Sequence, residues 1–286
     1  MESKDNKYDL NTTIKCGDKL MDLRNPLIMG ILNITPDSFY EGSRTFSIQE
    51  VINRATTMVN NGANILDVGG VSTRPNADLL TAEEELKRVI PVVKEVRNQF
   101  PQLCISIDTF RAEVAQKAVE AGANIVNDVY GGRYDSKMID TVAKLNVPFI
   151  LMHSRGDAQN MQEKCSYDQL VPDICRELSE KLSELRAKGV KDVLIDPGFG
   201  FAKTTAQNYE LMQQLDVLHV LGCPIVLGVS RKSMIYKLMH SSAEKALNGT
   251  TALHALGLSK GANVLRVHDV KEAREVIIIM RQMNEM

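Results

Sequence analysis

Three stretches repeat one pattern along the chain: Gly62-Ala63-Asn64-Ile65-Leu66-Asp67, Gly122-Ala123-Asn124-Ile125-Val126-Asn127 and Gly261-Ala262-Asn263-Val264-Leu265-Arg266. Each reads as the stop of a helix, a short buried strand and a polar residue at the strand's end. A glycine just past a helical stretch takes the left-handed backbone that ends it, and an unbroken apolar run suits a strand covered on both faces. Gly189 to Asp196 is a looser fourth copy.

Outward from these copies, other short apolar runs bring the candidate strands to about eight: Leu27–Leu32, Ile65–Val68, Cys104–Ile107, Ile125–Val126, Val147–Met152, Val193–Ile195, Pro224–Val229 and Val264–Val267. Helical patterns lie between them. Ile48, Val51, Ile52, Ala55, Met58 and Val59 share one helix face, with Ser47 and Glu50 as a capping-box signature, and Thr81 with Glu84 repeats that signature before the stripe Leu86 to Phe100. Further stripes run through Ala112–Ala121, Asp168–Lys188, Tyr209–Leu221 and Ala243–Ser259. Such alternation fits a closed barrel or an open doubly wound sheet. No G-x-G-x-x-G follows the first strand and no composition shift divides the chain, which favours a single-domain α/β fold, a (β/α)8 barrel over residues 26–286. Residues 1–25 are read as an N-terminal extension capping it.

With 286 residues, 44% of them apolar, the chain is long enough for one such barrel. A formal charge of −2 supplies no net field to hold a polyanion, so nucleic acid is not an expected partner. The five cysteines, Cys16, Cys104, Cys165, Cys175 and Cys223, lack C-x-x-C or metal spacing and read as buried, reduced thiols. Glu2, Lys4, Asp5, Lys7 and Asp9 make the first residues too polar for a signal peptide, and no apolar run approaches the ~20 residues of a membrane span. A cytoplasmic enzyme is the resulting expectation. His219, His240 and His254 fall in helical stretches outside every motif and receive no function.

Barrel enzymes carry their chemistry where strands end. The strand ends here are Asn33, Gly69-Gly70 with Ser72-Thr73-Arg74-Pro75, Asp108, Asn127, His153, Asp196, Ser230 and Arg266-Val267-His268. Asp108, Asn127, Asp196 and Lys232 offer acceptors, an amide and a cation, which suit a flat heterocycle with amino and oxo groups. Arg266 and His268 suit phosphate, and the amide oxygen of Asn33 suits Mg²⁺, an ion that keeps waters and substrate phosphate oxygens. The rim therefore has a heterocycle end and a phosphate end.

An ordered set of motifs also carries a family resemblance. NITPDSF (Asn33–Phe39), DVGGVSTRP (Asp67–Pro75), SIDTF (Ser106–Phe110) and Asn127-Asp128 come first. Met152-His153 with Arg155-Gly156 and Met161-Gln162, DPGFGF (Asp196–Phe201), GVSRKS (Gly228–Ser233) and RVHDV (Arg266–Val270) follow. In this order they resemble the dihydropteroate synthases, pterin-binding enzymes of folate biosynthesis, from about Pro26 onward. The resemblance implies that Asp108, Asn127, Asp196 and Lys232 hold the pterin, with Met152 and Phe201 as apolar walls and Gly228 beside them. It implies that Asn33 contacts Mg²⁺, that Arg266 and His268 hold pyrophosphate, and that Thr73, Arg74, Pro75, Lys232 and Ser233 border p-aminobenzoate. Asp108, Lys232, Arg266 and His268 would act in catalysis, in a homodimer supplied with its pterin by a separate enzyme.

No protein nucleophile is implied, because the aromatic amine attacks the pterin methylene carbon as pyrophosphate leaves. A pterin-binding methyltransferase would share Asp108, Asn127 and Asp196 but have no use for the SRKS and RVH groups, and a non-catalytic pterin-binding paralogue would be expected to lack a rim residue. Two departures from the family pattern, Asn76 after STRP and Tyr40-Glu41-Gly42 after NITPDSF, fall in loops expected to close over substrate.

Overall fold

The computed structural model of the chain describes residues 12–34, 44–71, 80–157 and 159–284. A two-stranded antiparallel hairpin, β1 (Thr13–Cys16) and β2 (Lys19–Asp22), leads into the barrel strands β3 (Leu27–Asn33), β4 (Ile65–Gly69), β5 (Cys104–Asp108), β6 (Ile125–Asp128), β7 (Phe149–Met152), β8 (Val193–Asp196), β9 (Val226–Leu227) and β10 (Val264–Val267). Helices α1 (Arg44–Asn60), α2 (Ala82–Gln99), α3 (Ala112–Glu120), α4 (Met138–Leu145), α5 (Leu170–Ala187), α6 (Thr205–Gln213), α7 (Ser233–Tyr236), α8 (Leu247–Ser259) and α9 (Val270–Asn284) alternate with them. The eight barrel strands pair in parallel in the order β8-β7-β6-β5-β4-β3-β10-β9, and a parallel bridge between Ile195 and Ile225 joins the two ends of that order. The (β/α)8 barrel read from the sequence is the fold observed, and the open sheet is set aside.

Side chains alternate across each strand, and that period places the core. Met29, Ile65, Cys104, Ile125, Ile150, Leu194, Val226 and Val264 fill the barrel interior as one apolar cluster. Their successors Ile28 (on the preceding side), Leu66, Ile105, Val126, Leu151, Ile195, Leu227 and Leu265 belong to the larger cluster between the strands and the helices. Ile14 of β1 and Leu23 after β2, both almost fully buried, join the interior cluster, so the hairpin seals that end.

Several details depart from the sequence reading. The hairpin itself was not read, since its two strands are only four residues each. β9 shrinks to two residues because Pro224 has no N–H to pair and Ile225 contributes only a bridge. Ser47 lies inside α1, which begins at Arg44, so it does not cap that helix. Thr81 does cap α2, with the reciprocal bonds to Glu84 that the signature requires. Helix α4 carries too short a stripe to have been read. His240 sits in a turn with a φ of +46° rather than in a helix.

The cysteines need a larger correction. Cys16 and Cys104 form a disulfide, while Cys165, Cys175 and Cys223 take part in no disulfide among the described residues, and only Cys223 of those is buried. At a sequence separation of 88, spacing could not reveal the pair. They meet because the hairpin folds back onto the foot of β5.

Candidate active site

Two residues beyond each apolar interior position the side chain points inward again, and at most of these positions the barrel turns polar. That step lands on Asp67, Ser106, Asn127, Met152, Asp196, Gly228 and Arg266, and another on Asn33, Asp108 and His268. The polar layer is thus a consequence of strand period.

Arg266 organises one side of it. Its Nε donates to Asp67 Oδ2 at 2.7 Å and its Nη2 to Asp108 Oδ2 at 2.5 Å. Asn127 Nδ2 donates to the same Asp67 oxygen at 3.1 Å. Asp67 Oδ1 and Ser106 Oγ are buried without a hydrogen-bond partner among the described residues. Burial is the main force pushing the Asp108 carboxyl up to about 7; Arg266 pulls it down, and Asp67 adds repulsion. Burial works against the charge on Arg266 too, but Asp67 and Asp108 outweigh it and hold the guanidinium protonated. One cation between two carboxylates is strongly favoured over either carboxylate alone.

Lys232 organises the other side. Its Nζ donates to the Phe199 carbonyl at 2.6 Å and lies 4.9 Å from the centre of the Phe201 ring. A methyl group on Gly228 would lie 3.3 Å from Asp196 Oδ2 and 3.7 Å from Lys232 Nζ, so that glycine leaves open the space between acid and amine. Burial pushes Lys232 down to about 8, against the pull of Asp196. Asp196 Oδ1 also accepts from the Gly198 N–H at 2.7 Å, which ties it to the loop that follows.

Met152 and Phe201 do not join the main core. With Phe110, Val129, Tyr130 and Val71 they form a separate apolar cluster. Asn33 ends β3 beside Asp108: a methyl group on Gly69 would meet Asn33 Oδ1 at 3.4 Å and Asp108 Oδ2 at 3.6 Å. Ser233 is the first residue of α7, with Lys232 as its N-cap. His268 is exposed, its backbone N–H bonded to Ser230 Oγ at 3.1 Å.

Asp108, Asn127, Arg266 and Asn33 therefore gather on one side, Asp196, Lys232, Gly228 and Phe201 on the other. Thr73, Arg74 and Pro75 lie outside the described residues, as do Asn76 and Tyr40-Glu41-Gly42. His153, read as a rim residue, is fully buried and engaged with Lys203 and Glu177. The sequence reading missed Asp67 as a site group, although its parity with Asn127 and Arg266 within the repeat could have found it.

A parallel barrel with a polar, charge-paired layer above an apolar plug is the frame of a pterin-binding enzyme, and the chain belongs to that family, which it matches over residues 29–268. Its relatives narrow the family to the dihydropteroate synthases. The chain is 42% identical to the Clostridium beijerinckii dihydropteroate synthase over 277 residues, covering 94% of this chain and 100% of that one. Among solved structures, it is similar to the Yersinia pestis dihydropteroate synthase in complex with a sulfonamide drug, with a TM-score of 0.90 and 36% identity over 96% of this chain and 100% of that chain. The Xanthomonas albilineans dihydropteroate synthase with 4-aminobenzoic acid gives a TM-score of 0.89 and 37% identity over 96% of this chain and 99% of that chain.

Proposed function

We infer that this protein is a dihydropteroate synthase: it joins 7,8-dihydropterin-6-ylmethyl pyrophosphate to p-aminobenzoate, forming 7,8-dihydropteroate and releasing pyrophosphate. The observation that carries the reading is the inward polar layer, in which Asp67, Asp108 and Arg266 face Asp196 and Lys232 across the barrel. The 4-aminobenzoic acid held by the Xanthomonas relative supports the second substrate.

In the reaction the amine lone pair forms the new C–N bond as the C–O bond to pyrophosphate breaks, and the amine proton is lost to solvent or to the departing anion. The chain then has three tasks. Asp108, Asn127, Asp196 and Lys232 bind the pterin edge, between the walls Met152 and Phe201. Arg266 and His268 stabilise charge growing on the leaving pyrophosphate. Lys232 and Ser233 border the p-aminobenzoate, and Thr73, Arg74 and Pro75 are assigned there by resemblance alone.

Mg²⁺ fits Asn33 as a partial ligand. Its amide oxygen accepts no hydrogen bond from the described residues, and the residue is exposed, so waters and pyrophosphate oxygens could complete the shell. Among the described residues no cluster of His, Cys, Asp or Glu could hold the ion without substrate. When bound, it would supply positive charge to the leaving group.

A homodimer and a cytoplasmic location belong to the same proposal. Leu256 on α8 and Ile278, Ile279 and Met283 on α9 expose apolar side chains on two helices that pack together, which supports contact with a second copy.

The test is pyrophosphate release by the purified protein given the pterin pyrophosphate and Mg²⁺, with and without p-aminobenzoate, and identification of dihydropteroate by mass. Release that depends on p-aminobenzoate and yields that product is expected. Tight pterin binding without turnover would transfer the assignment to a pterin-binding protein of another activity.

A further inference from the structure

We propose that Lys203, backed by His153 and Glu177, is a positioning residue of the pterin site: its side-chain nitrogen fixes the loop 196–203 so that Phe201 and the Phe199 carbonyl meet Lys232. The assignment rests on the synthase reading.

Lys203 is only 3% exposed and touches neither Asp108 nor Arg266 in any hydrogen bond. Its Nζ has three acceptors: His153 Nδ1 at 3.0 Å, the Gly198 carbonyl at 3.1 Å and the Phe201 carbonyl at 3.1 Å. An ammonium has three protons and fills that set; a neutral amine has two and leaves one acceptor unmet. Behind it, His153 Nε2 lies 3.2 Å from Glu177 Oε2, and Arg155 Nε donates to Glu177 Oε1 at 3.0 Å. Since His153 accepts from Lys203 at Nδ1, its proton sits on Nε2 and is donated to Glu177. Donation therefore runs in one direction, from Lys203 in the loop through His153 after β7 to Glu177 on α5.

The loop needs this support because its backbone is unusual. A methyl group on Gly198 (φ +71°) would fall 1.8 Å from the His153 carbonyl, and Ala202 has a φ of +48°. Tyr167 donates to the Ala202 carbonyl at 2.9 Å, and Asn208 accepts from the Gly200 N–H at 2.6 Å. Lys232 takes the remaining inner carbonyl, that of Phe199. Two lysines thus hold the carbonyls of one loop, Lys232 that of Phe199 and Lys203 those of Gly198 and Phe201. Burial lowers the proton affinity of Lys203 to about 7, Asp196 and Glu177 favour its charge, and Lys232 and Arg155 oppose it.

The experiment compares the parent with Lys203→Met, which keeps an unbranched chain only one atom shorter and removes every donor. KM for the pterin pyrophosphate is measured at saturating p-aminobenzoate, and KM for p-aminobenzoate at saturating pterin. The expected result is a pterin KM raised at least tenfold with a smaller rise in the p-aminobenzoate KM, since Phe201 faces the pterin alone while Lys232 borders both substrates. A fall in melting temperature with both KM values unchanged, or an equal rise in both, would overturn the proposal in favour of a purely structural lysine. If Lys203→Met does not fold, Tyr167→Phe decides on the same terms: a two- to fivefold rise confined to the pterin KM supports the loop grip, and no change overturns it. Failure of the parent to form dihydropteroate would instead count against the synthase reading, independently of Lys203.

Discussion

Asp108 and Arg266 meet at 2.5 Å inside a barrel that also holds Asp67 against the same guanidinium. Removing the cation leaves the fully buried Asp67 carboxylate beside the partly buried one of Asp108, whereas removing Asp108 leaves one intact pair. Arg266→Ala should therefore cost on the order of 3–5 kcal/mol of stability, and Asp108→Ala less. Both should lower kcat/KM for the pterin pyrophosphate by at least about a hundredfold. Urea unfolding alongside steady-state kinetics checks both, and unchanged kinetics in either variant would take that residue out of the site. The same burial sets a pH window. With Asp108 at about 7 and Lys232 at about 8, both are charged only over a narrow range. kcat/KM should rise as pH climbs through the first value, as Asp108 ionises, and fall as first Lys203, at about 7, and then Lys232 lose their protons. A flat profile from pH 6 to 9 would mean that neither charge is needed.

At the scale of elements, the site depends on how helices and strands are joined. Thr81 accepts from the Glu84 N–H at 3.2 Å, and Glu84 returns a bond to the Thr81 N–H at 2.9 Å, so two donors at the start of α2 are met reciprocally. Thr81→Ala should destabilise the protein by about 1 kcal/mol, read from a shifted urea midpoint with an unaltered slope. Both capping signatures stood equally in the sequence, yet Ser47 lies within its helix and Thr81 caps. A capping box states which bonds are possible at a helix start; where the helix starts depends on the chain that precedes it.

For the whole molecule, helix α8 brings His254 into the interior, 1% exposed, with neither ring nitrogen bonded among the described residues. Burial lowers it to about 4, with Asp269 pulling the other way. The folded protein then keeps His254 neutral while the unfolded chain binds a proton below about 6.5, so folding stability is complete above that pH and is lost as pH falls toward the folded value. The loss should reach about 1 kcal/mol per pH unit, and a His254→Leu variant should lack that share of the slope in urea titrations between pH 7 and 4.5. Identical slopes in both proteins would show that His254 does not carry it. The sequence by itself determined the strands, their parallel barrel and most of the rim, because apolar runs, strand period and the Gly-Ala-Asn repeat are local properties written into neighbouring residues. It also placed Asp108, Asn127, Asp196 and Arg266 at strand ends. Only the tertiary structure decided which of these groups pair, that Asp67 shares the Arg266 guanidinium, that His153 serves Lys203, and that Cys16 reaches Cys104. Those contacts join residues up to 199 positions apart, as between Asp67 and Arg266, and their distances follow from barrel closure, which no local pattern encodes.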